Sequence, residues 1–334
     1  MKRAMLFFVI LAFTLKLMAQ EEVIKDSTHI ISFVDKIILK ANVSSESVAY
    51  ILSQNDETAY TFLTNNEYRL SLSLDYEFIG FSFGFAPEFF PGNNDDDLKG
   101  KSSSTDYKFR FFLKKWTQEV GYSKATGFYL ENTGDLIPDW TEGQDPYLQF
   151  PDLKINTWQG STSYVFNDKF SLRNVAYNTE WQLESAGSFI PTLGYKYSYI
   201  SARLDTSKIY EKIHDIRLSP DYYYSVVLHK NWFITPYISP SVGIRFSKDK
   251  QASGTVENNI YWPLGLNGGL QLGYSSRYFI FGGNLSFESI WYHEDSQNTI
   301  INDKVFAKFY FGYRLDTPKA IQKSFDWMNE KIGL

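Results

Sequence analysis

The stretch Tyr68-Arg69-Leu70-Ser71-Leu72-Ser73-Leu74-Asp75-Tyr76-Glu77-Phe78 decides the fold. Its even positions are all apolar or aromatic, whereas its odd positions are Arg69, Ser71, Ser73, Asp75 and Glu77. A period of two sends alternate side chains to opposite faces of a strand. Aromatic bulk on one face and charge on the other suit a wall with lipid outside and water inside.

The alternation recurs to the C-terminus. Residues 105–113 set Tyr107, Phe109, Phe111 and Leu113 against Asp106, Lys108 and Arg110. Residues 232–246 set Trp232, Ile234, Ile238, Val242, Ile244 and Phe246 against Thr235, Tyr237, Ser239, Ser241 and Arg245. Leu264, Leu266, Leu270 and Leu272 lie opposite Asn267 and Gln271 within a predicted strand 260–274. Over 303–315, Val305, Phe309, Phe311, Tyr313 and Leu315 oppose Lys304, Lys308 and Arg314. Each run is long enough for the roughly ten residues of a transmembrane strand. Trp116, Trp232, Tyr274 and Trp291 fall near strand ends, as interfacial belts require.

Short connections are expected at Phe78–Gly80, Lys114–Lys115, Asn167–Lys169, His229–Asn231 and Ser275–Ser276. Long ones are expected at 45–57, 89–104, 131–152, 205–217, 248–258 and 293–301. Tight periplasmic turns alternating with long outer loops mark an outer-membrane barrel. The loop 131–152 carries six acids together with Trp140, Tyr147, Phe150 and three prolines, a composition for a packed loop. It would act as a constriction if folded inward and as a recognition surface if folded outward.

Taking 35–44 as the first strand gives an odd number of candidates, but a chain entering and leaving by the periplasm needs an even one. Apolar parity changes within 170–204: Phe170 and Leu172 are even, while Val175, Tyr177, Trp181 and Leu183 are odd. A bulge near Arg173–Asn174 accounts for the change. Ser185–Phe189 reads as an inward kink, so 170–204 counts as one crossing plus an insert. The sequence thus predicts an all-β protein, a transmembrane antiparallel up-and-down β-barrel of 12 strands with 14 as the alternative. A short C-terminal amphipathic helix follows, because Ile321, Phe325, Met328 and Ile332 share a face after Thr317-Pro318.

Composition bounds the class. The chain has 334 residues, 18% of them aromatic, and no Cys. A mean hydropathy of -0.30 excludes a helical-bundle membrane protein. The absence of Cys excludes a lipid-anchored lipoprotein and any disulfide framework. Lys2 and Arg3 precede an apolar run ending at Leu17-Met18-Ala19, the pattern of a cleaved secretory signal. The expected organisation is a signal peptide at 1–19, a periplasmic segment at 20–34, the barrel at 35–316 and a helical tail at 317–334. Export and barrel together place the chain in the cell outer membrane. The net charge of -5 leaves no basic stripe for nucleic acid.

Several segments together resemble the outer-membrane proteins grouped as domain-of-unknown-function family 4421, from Bacteroidota-type bacteria. They are the signal end Ala19-Gln20, FVDKIILK at 33–40, LSLDYEFIGFSFGF at 72–85, ATGFYLEN at 125–132 and SAGSF at 185–189. The resemblance spans nearly the whole mature chain. It implies an outer-membrane barrel with no established activity, and it carries over no catalytic residue.

A lipid hydrolase or acyltransferase would need a nucleophile beside a base. The bases on offer are His29, His214, His229 and His293, and no nucleophile–base–orienter set accompanies them. The chain is therefore read as a non-enzyme without cofactor. Asn93-Asn94-Asp95-Asp96-Asp97 resembles a calcium loop but lacks the spaced ligands and closing Glu of an EF-hand, so a solvated outer loop is expected.

Parity instead singles out a lumen-lining set: Arg69, Asp75, Glu77, Lys108, Arg110, Glu180, Arg245, Glu288, Lys304, Lys308 and Arg314. Such charges either interlock as filling or line a water passage favouring small anions. The expected role is a narrow or gated pore for small solutes. The alternatives are a structural or partner-binding outer-membrane scaffold without conductance and, further off, a lipid enzyme. Expected partners are outer-membrane lipid or lipopolysaccharide, small solutes or another protein.

Overall fold

The computed structural model describes residues 29–45, 48–54, 58–204, 207–293 and 299–332; the expected signal peptide lies outside them. Among the described residues seventeen strands form in chain order: β1 Ile30–Ser32, β2 Lys36–Ser44, β3 Ala49–Gln54, β4 Thr58–Leu63, β5 Arg69–Tyr76 and β6 Ile79–Phe85. Then come β7 Ser103–Leu113, β8 Trp116–Leu130, β9 Gln149–Tyr164, β10 Glu180–Gln182, β11 Ala186–Leu204 and β12 Ser207–Leu228. The chain continues through β13 Trp232–Lys250, β14 Val256–Tyr261, β15 Leu264–Ser275, β16 Phe279–His293 and β17 Thr299–Asp316 to a helix, Lys319–Ile332.

Twelve of these strands close into one antiparallel ring. β5, β6, β7, β8 and β9 pair in sequence, β9 joins β11, and β12, β13, β15, β16 and β17 lead back through β2 to β5. Closure satisfies every wall strand on both edges, which a hydrocarbon environment demands. The pleat matches the pattern at 68–78: Leu72 and Leu74 are exposed outward, and Ser73 and Asp75 are buried within. Val305, Phe309 and Phe311 are likewise among the most exposed apolar side chains. Three hairpin turns use left-handed backbone without glycine, at Glu77 (φ 48°), at Lys114 (φ 56°) and at His229 and Lys230 (φ 49° and 65°). The latter pair lies in a three-residue loop between the paired Leu228 and Trp232, where the Asn231 N–H donates to the His229 carbonyl at 2.8 Å.

Four expectations are corrected. Residues 170–185 hold neither a bulge at Arg173–Asn174 nor a kink at Ser185–Phe189; a π-helical turn spans Arg173–Tyr177, and β11 begins at Ala186. Asn167–Lys169 is the start of this insert rather than a short turn. The expected loop 205–217 is mostly strand, because β11 and β12 run on for 19 and 22 residues. The strand expected over 260–274 breaks at Pro263, between β14 and β15, since a proline has no N–H for the ladder.

Three elements stand off the ring. The hairpin of β3 and β4 bends over the outer mouth, with Val48, Tyr50 and Phe62 packed on Ala125, Phe128, Leu153, Ile155 and Ile200. The insert 165–185 turns into the other end of the lumen, where β10 pairs with β1. The C-terminal helix lies against the rim, its Phe325 ring 4.7 Å from Tyr76 and 5.8 Å from Phe78.

Candidate functional site: a plugged, charged lumen

The insert forms a plug because its polar backbone is met by inward side chains from strands around the ring. Lys40 on β2 donates to the Tyr177 carbonyl (3.0 Å) and to Asn178 Oδ1 (3.1 Å). Arg314 on β17 donates to the Asn178 carbonyl (2.9 Å), to Ser275 Oγ (3.1 Å) and to the Ser276 carbonyl. Arg110 on β7 stacks over the Tyr177 ring at 5.3 Å. Phe112, next along β7, packs on the same ring, and Arg173 lies over Phe112 at 4.8 Å.

Apolar contacts seat the plug at its edges. Phe170, Leu172 and Val175 pack with Ala186 and Ile190. Phe33 joins Ile38 and Ile280, stacks on Trp181 and lies under Arg314 at 3.9 Å. Inside the plug Ser171 donates to Glu180 at 2.6 Å, and Arg173 lies 3.8 Å from the same carboxylate. Burial pulls the Arg173 guanidinium below its ordinary value, against the opposing pull of Glu180 and Tyr177.

Above the plug is a cavity of about 440 Å³. Its walls carry Glu119, Lys196, Asp215, Arg217, Arg245, Glu288 and Lys304. Asp215 accepts from Arg245 at 2.6 and 3.0 Å and from Arg217 at 3.1 and 3.2 Å. Arg217 also lies 3.8 Å from Glu288. No ion pair of Lys196 or Lys304 occurs among the described residues. Its four bases outnumber its three acids, so the chamber presents a net positive charge to water of restricted volume, which can hold a small anion.

All of the expected lumen residues but Glu77 fall into three groups. Arg245, Glu288 and Lys304 line the chamber. Arg69 pairs with Asp106, and Arg110 with a fully buried Asp75 at 3.0 Å, on the inner wall of β5 and β7, while Lys108 and Lys308 face the same interior by register. Arg314 grips the plug, and Glu180 belongs to it. Glu77 lies elsewhere, in the β5–β6 turn at φ 48°, where it accepts from Asn329 of the C-terminal helix. Sequence reading passed over Lys196, Asp215 and Arg217. Lys196 was detectable, since Phe189, Leu193, Tyr195 and Tyr197 fix the outward parity of β11.

The other sequence candidates have local roles. His29 lies 3.1 Å from Glu184, and His214 Nδ1 is 3.0 Å from the Tyr195 hydroxyl. His229 occupies its turn, and His293 ends β16. Asn93 ties its loop together, donating to the Tyr68 and Pro87 carbonyls and accepting from the Tyr68 amide. Asp96 accepts from Asn65 at 3.0 Å. Loop 131–152 packs on itself: Trp140 lies 4.7 Å from Tyr147 and donates to the Pro146 carbonyl at 3.0 Å. The mouth is crossed instead by the β3–β4 hairpin.

A closed ring with an apolar exterior and a charged interior defines a β-barrel of the outer-membrane type. The chain belongs to the family described as Domain of unknown function (DUF4421), which matches residues 25–315. No curated protein matches it. Solved structures similar to it include the KdgM porin in complex with disordered oligogalacturonate (10% identity, TM-score 0.29, 85% of this chain and 99% of that one). The β domain of the Bordetella autotransporter BrkA gives 11% identity and a TM-score of 0.39 over 85% and 100% of the two chains. LpxR from Salmonella typhimurium gives 11% and 0.34 over 83% and 99%.

Proposed function

We propose that this barrel is a gated passage for small solutes, preferentially anions, with the plug closing it in the present conformation. The observation that carries the reading is the chamber of about 440 Å³ with Lys196 and Lys304 in its wall. A net excess of solvated charge of one sign in a narrow lumen favours counter-ions of the other.

The plug interface favours opening. Among the described residues, both side-chain atoms of the Asn174 amide, Thr179 Oγ1 and Arg314 Nε are buried without a hydrogen-bond partner. Such groups cost about 1–3 kcal/mol each when dry, and water admitted on opening relieves that cost. The test is the reversal potential of the purified protein in planar bilayers under a salt gradient. Wild type should prefer anions, and Lys196→Glu with Lys304→Glu should move the preference towards cations. An unchanged reversal potential sinks the assignment.

A non-conducting, partner-binding scaffold is the second reading. It is favoured by the way Lys40, Arg110 and Arg314 hold the plug from three separate strands. That role requires silence in bilayers even when the plug is removed.

A further inference from the structure

Two rows of outward-facing side chains near the top of β8 to β14 carry charge of one sign only. Cross-strand register aligns Lys124, Asn156, Tyr199, Lys212, Lys248 and Asn258 in one continuous row. The next row outward holds Lys154 and Lys250, and Lys208 reaches over the Tyr199 ring at 5.7 Å. Neither row contains an acid. Glu211, Asp249 and Glu257 alternate to the other face, where they are cross-strand neighbours and Tyr50 of the mouth hairpin donates to Glu211.

Lys212 and Lys248 are direct cross-strand partners. Like charges so placed lie about 4.5–5.5 Å apart at Cβ and repel. No ion pair involving either occurs among the described residues. The arrangement stores a cost that an external anion would remove.

One row towards the membrane the paired residues are Tyr107, Tyr122, Trp158, Tyr197, His214 and Phe246. This is an interfacial aromatic girdle, so the lysines stand at headgroup height.

Below the girdle, on the same strands, lies an apolar hollow of about 530 Å³ in the outer wall. Prolines make it. Pro191 faces Pro220 across β11 and β12, and the β12–β13 ladder loses its pairing between Leu218 and Tyr222, where Pro220 and Pro240 stand. Leu218, Val242 and Leu264 line the hollow and are all exposed. From Val242 to Lys248 is six residues along β13, or about 15 Å of height at a strand tilt of about 40°.

From these two features we infer a lipid site on the barrel's outer face: Lys212 and Lys248 hold the phosphate of a phosphorylated, multiply acylated outer-leaflet lipid, and the proline hollow below receives one of its acyl chains. Charge complementarity selects the headgroup, and the hollow selects an acylated molecule over a free anion. The site needs only the lipid-facing wall, so it is independent of whether the lumen conducts.

The test titrates the purified full chain in mild detergent with bisphosphorylated lipid A, its dephosphorylated form, phosphatidylethanolamine and inorganic phosphate. Bound ligand is read by native mass spectrometry. The phosphorylated lipid should bind about tenfold more tightly than its dephosphorylated form, and excess inorganic phosphate should not displace it. Lys212→Gln with Lys248→Gln should lose roughly that tenfold preference, while Lys323→Gln on the C-terminal helix should not. Val242→Trp, which fills the hollow, should weaken every acylated lipid and leave the phosphate preference intact. Heat-modifiable gel migration confirms that each variant is folded. Equal binding of both lipid A forms, displacement by inorganic phosphate, or wild-type behaviour of both site variants would overturn the inference.

Discussion

Arg314 Nη2 donates to the main-chain oxygen of Asn178 at 2.9 Å, so the last wall strand holds the left-handed residue (φ 62°) that ends the plug's π-helical turn. The same guanidinium reaches Ser275 and Ser276, so one buried side chain joins β17, the β15–β16 turn and the plug. Arg314→Leu should cost roughly 2–3 kcal/mol, because it leaves buried carbonyls unpaired. Denaturant unfolding in detergent measures that loss. Limited proteolysis should cut within 165–185 sooner than in wild type while the ring stays intact.

Asp75 is fully buried and meets Arg110 at 3.0 Å. Arg110→Leu strands the carboxylate and should destabilise by about 3–5 kcal/mol. Asp75→Leu combined with Arg110→Leu should recover most of the loss, since removing both charges removes the desolvation penalty. A double variant no more stable than the worse single one would show that the pair does more than neutralise itself.

Leu72 sits mid-strand on the outer face of β5 and is half exposed. In a bilayer, Leu72→Arg should cost about 2–4 kcal/mol. On a water-facing strand the same change would be worth within about 0.5 kcal/mol. Folding free energies in liposomes separate the two environments directly.

Tyr76 is buried although it has outward parity, because Phe325 covers it edge-on at 4.7 Å. Phe325→Ala should cost about 1–2 kcal/mol at this contact and free the helix. Protease should then remove the tail from 317 onward, and the barrel's melting temperature should barely move. A large fall in melting temperature would instead make the helix part of the fold's core.

Wall strands were legible because lipid contact forces strict alternation, as at Leu70, Leu72 and Leu74 or at Val305, Phe309 and Phe311. The plug was not, because Phe170, Leu172 and Val175 are apolar for a different reason: they pack within the lumen rather than against lipid. The long β11–β12 hairpin was missed where its outward residues change from Ile216 and Leu218 to Lys208 and Lys212, which reads as a loop once the strand leaves hydrocarbon. That misreading hid Asp215 and Arg217, whereas parity singles out Arg245, Glu288 and Lys304, three of the seven charged side chains in the chamber's wall.

The most direct measurement is bilayer conductance of the wild-type barrel beside a variant in which residues 167–184 are replaced by a short Gly-Ser turn, with gel migration confirming closure of the ring. A gated anion passage predicts rare or small openings in wild type and a persistent, anion-preferring conductance once the plug is gone. A folded, plug-free barrel that stays electrically silent would contradict it.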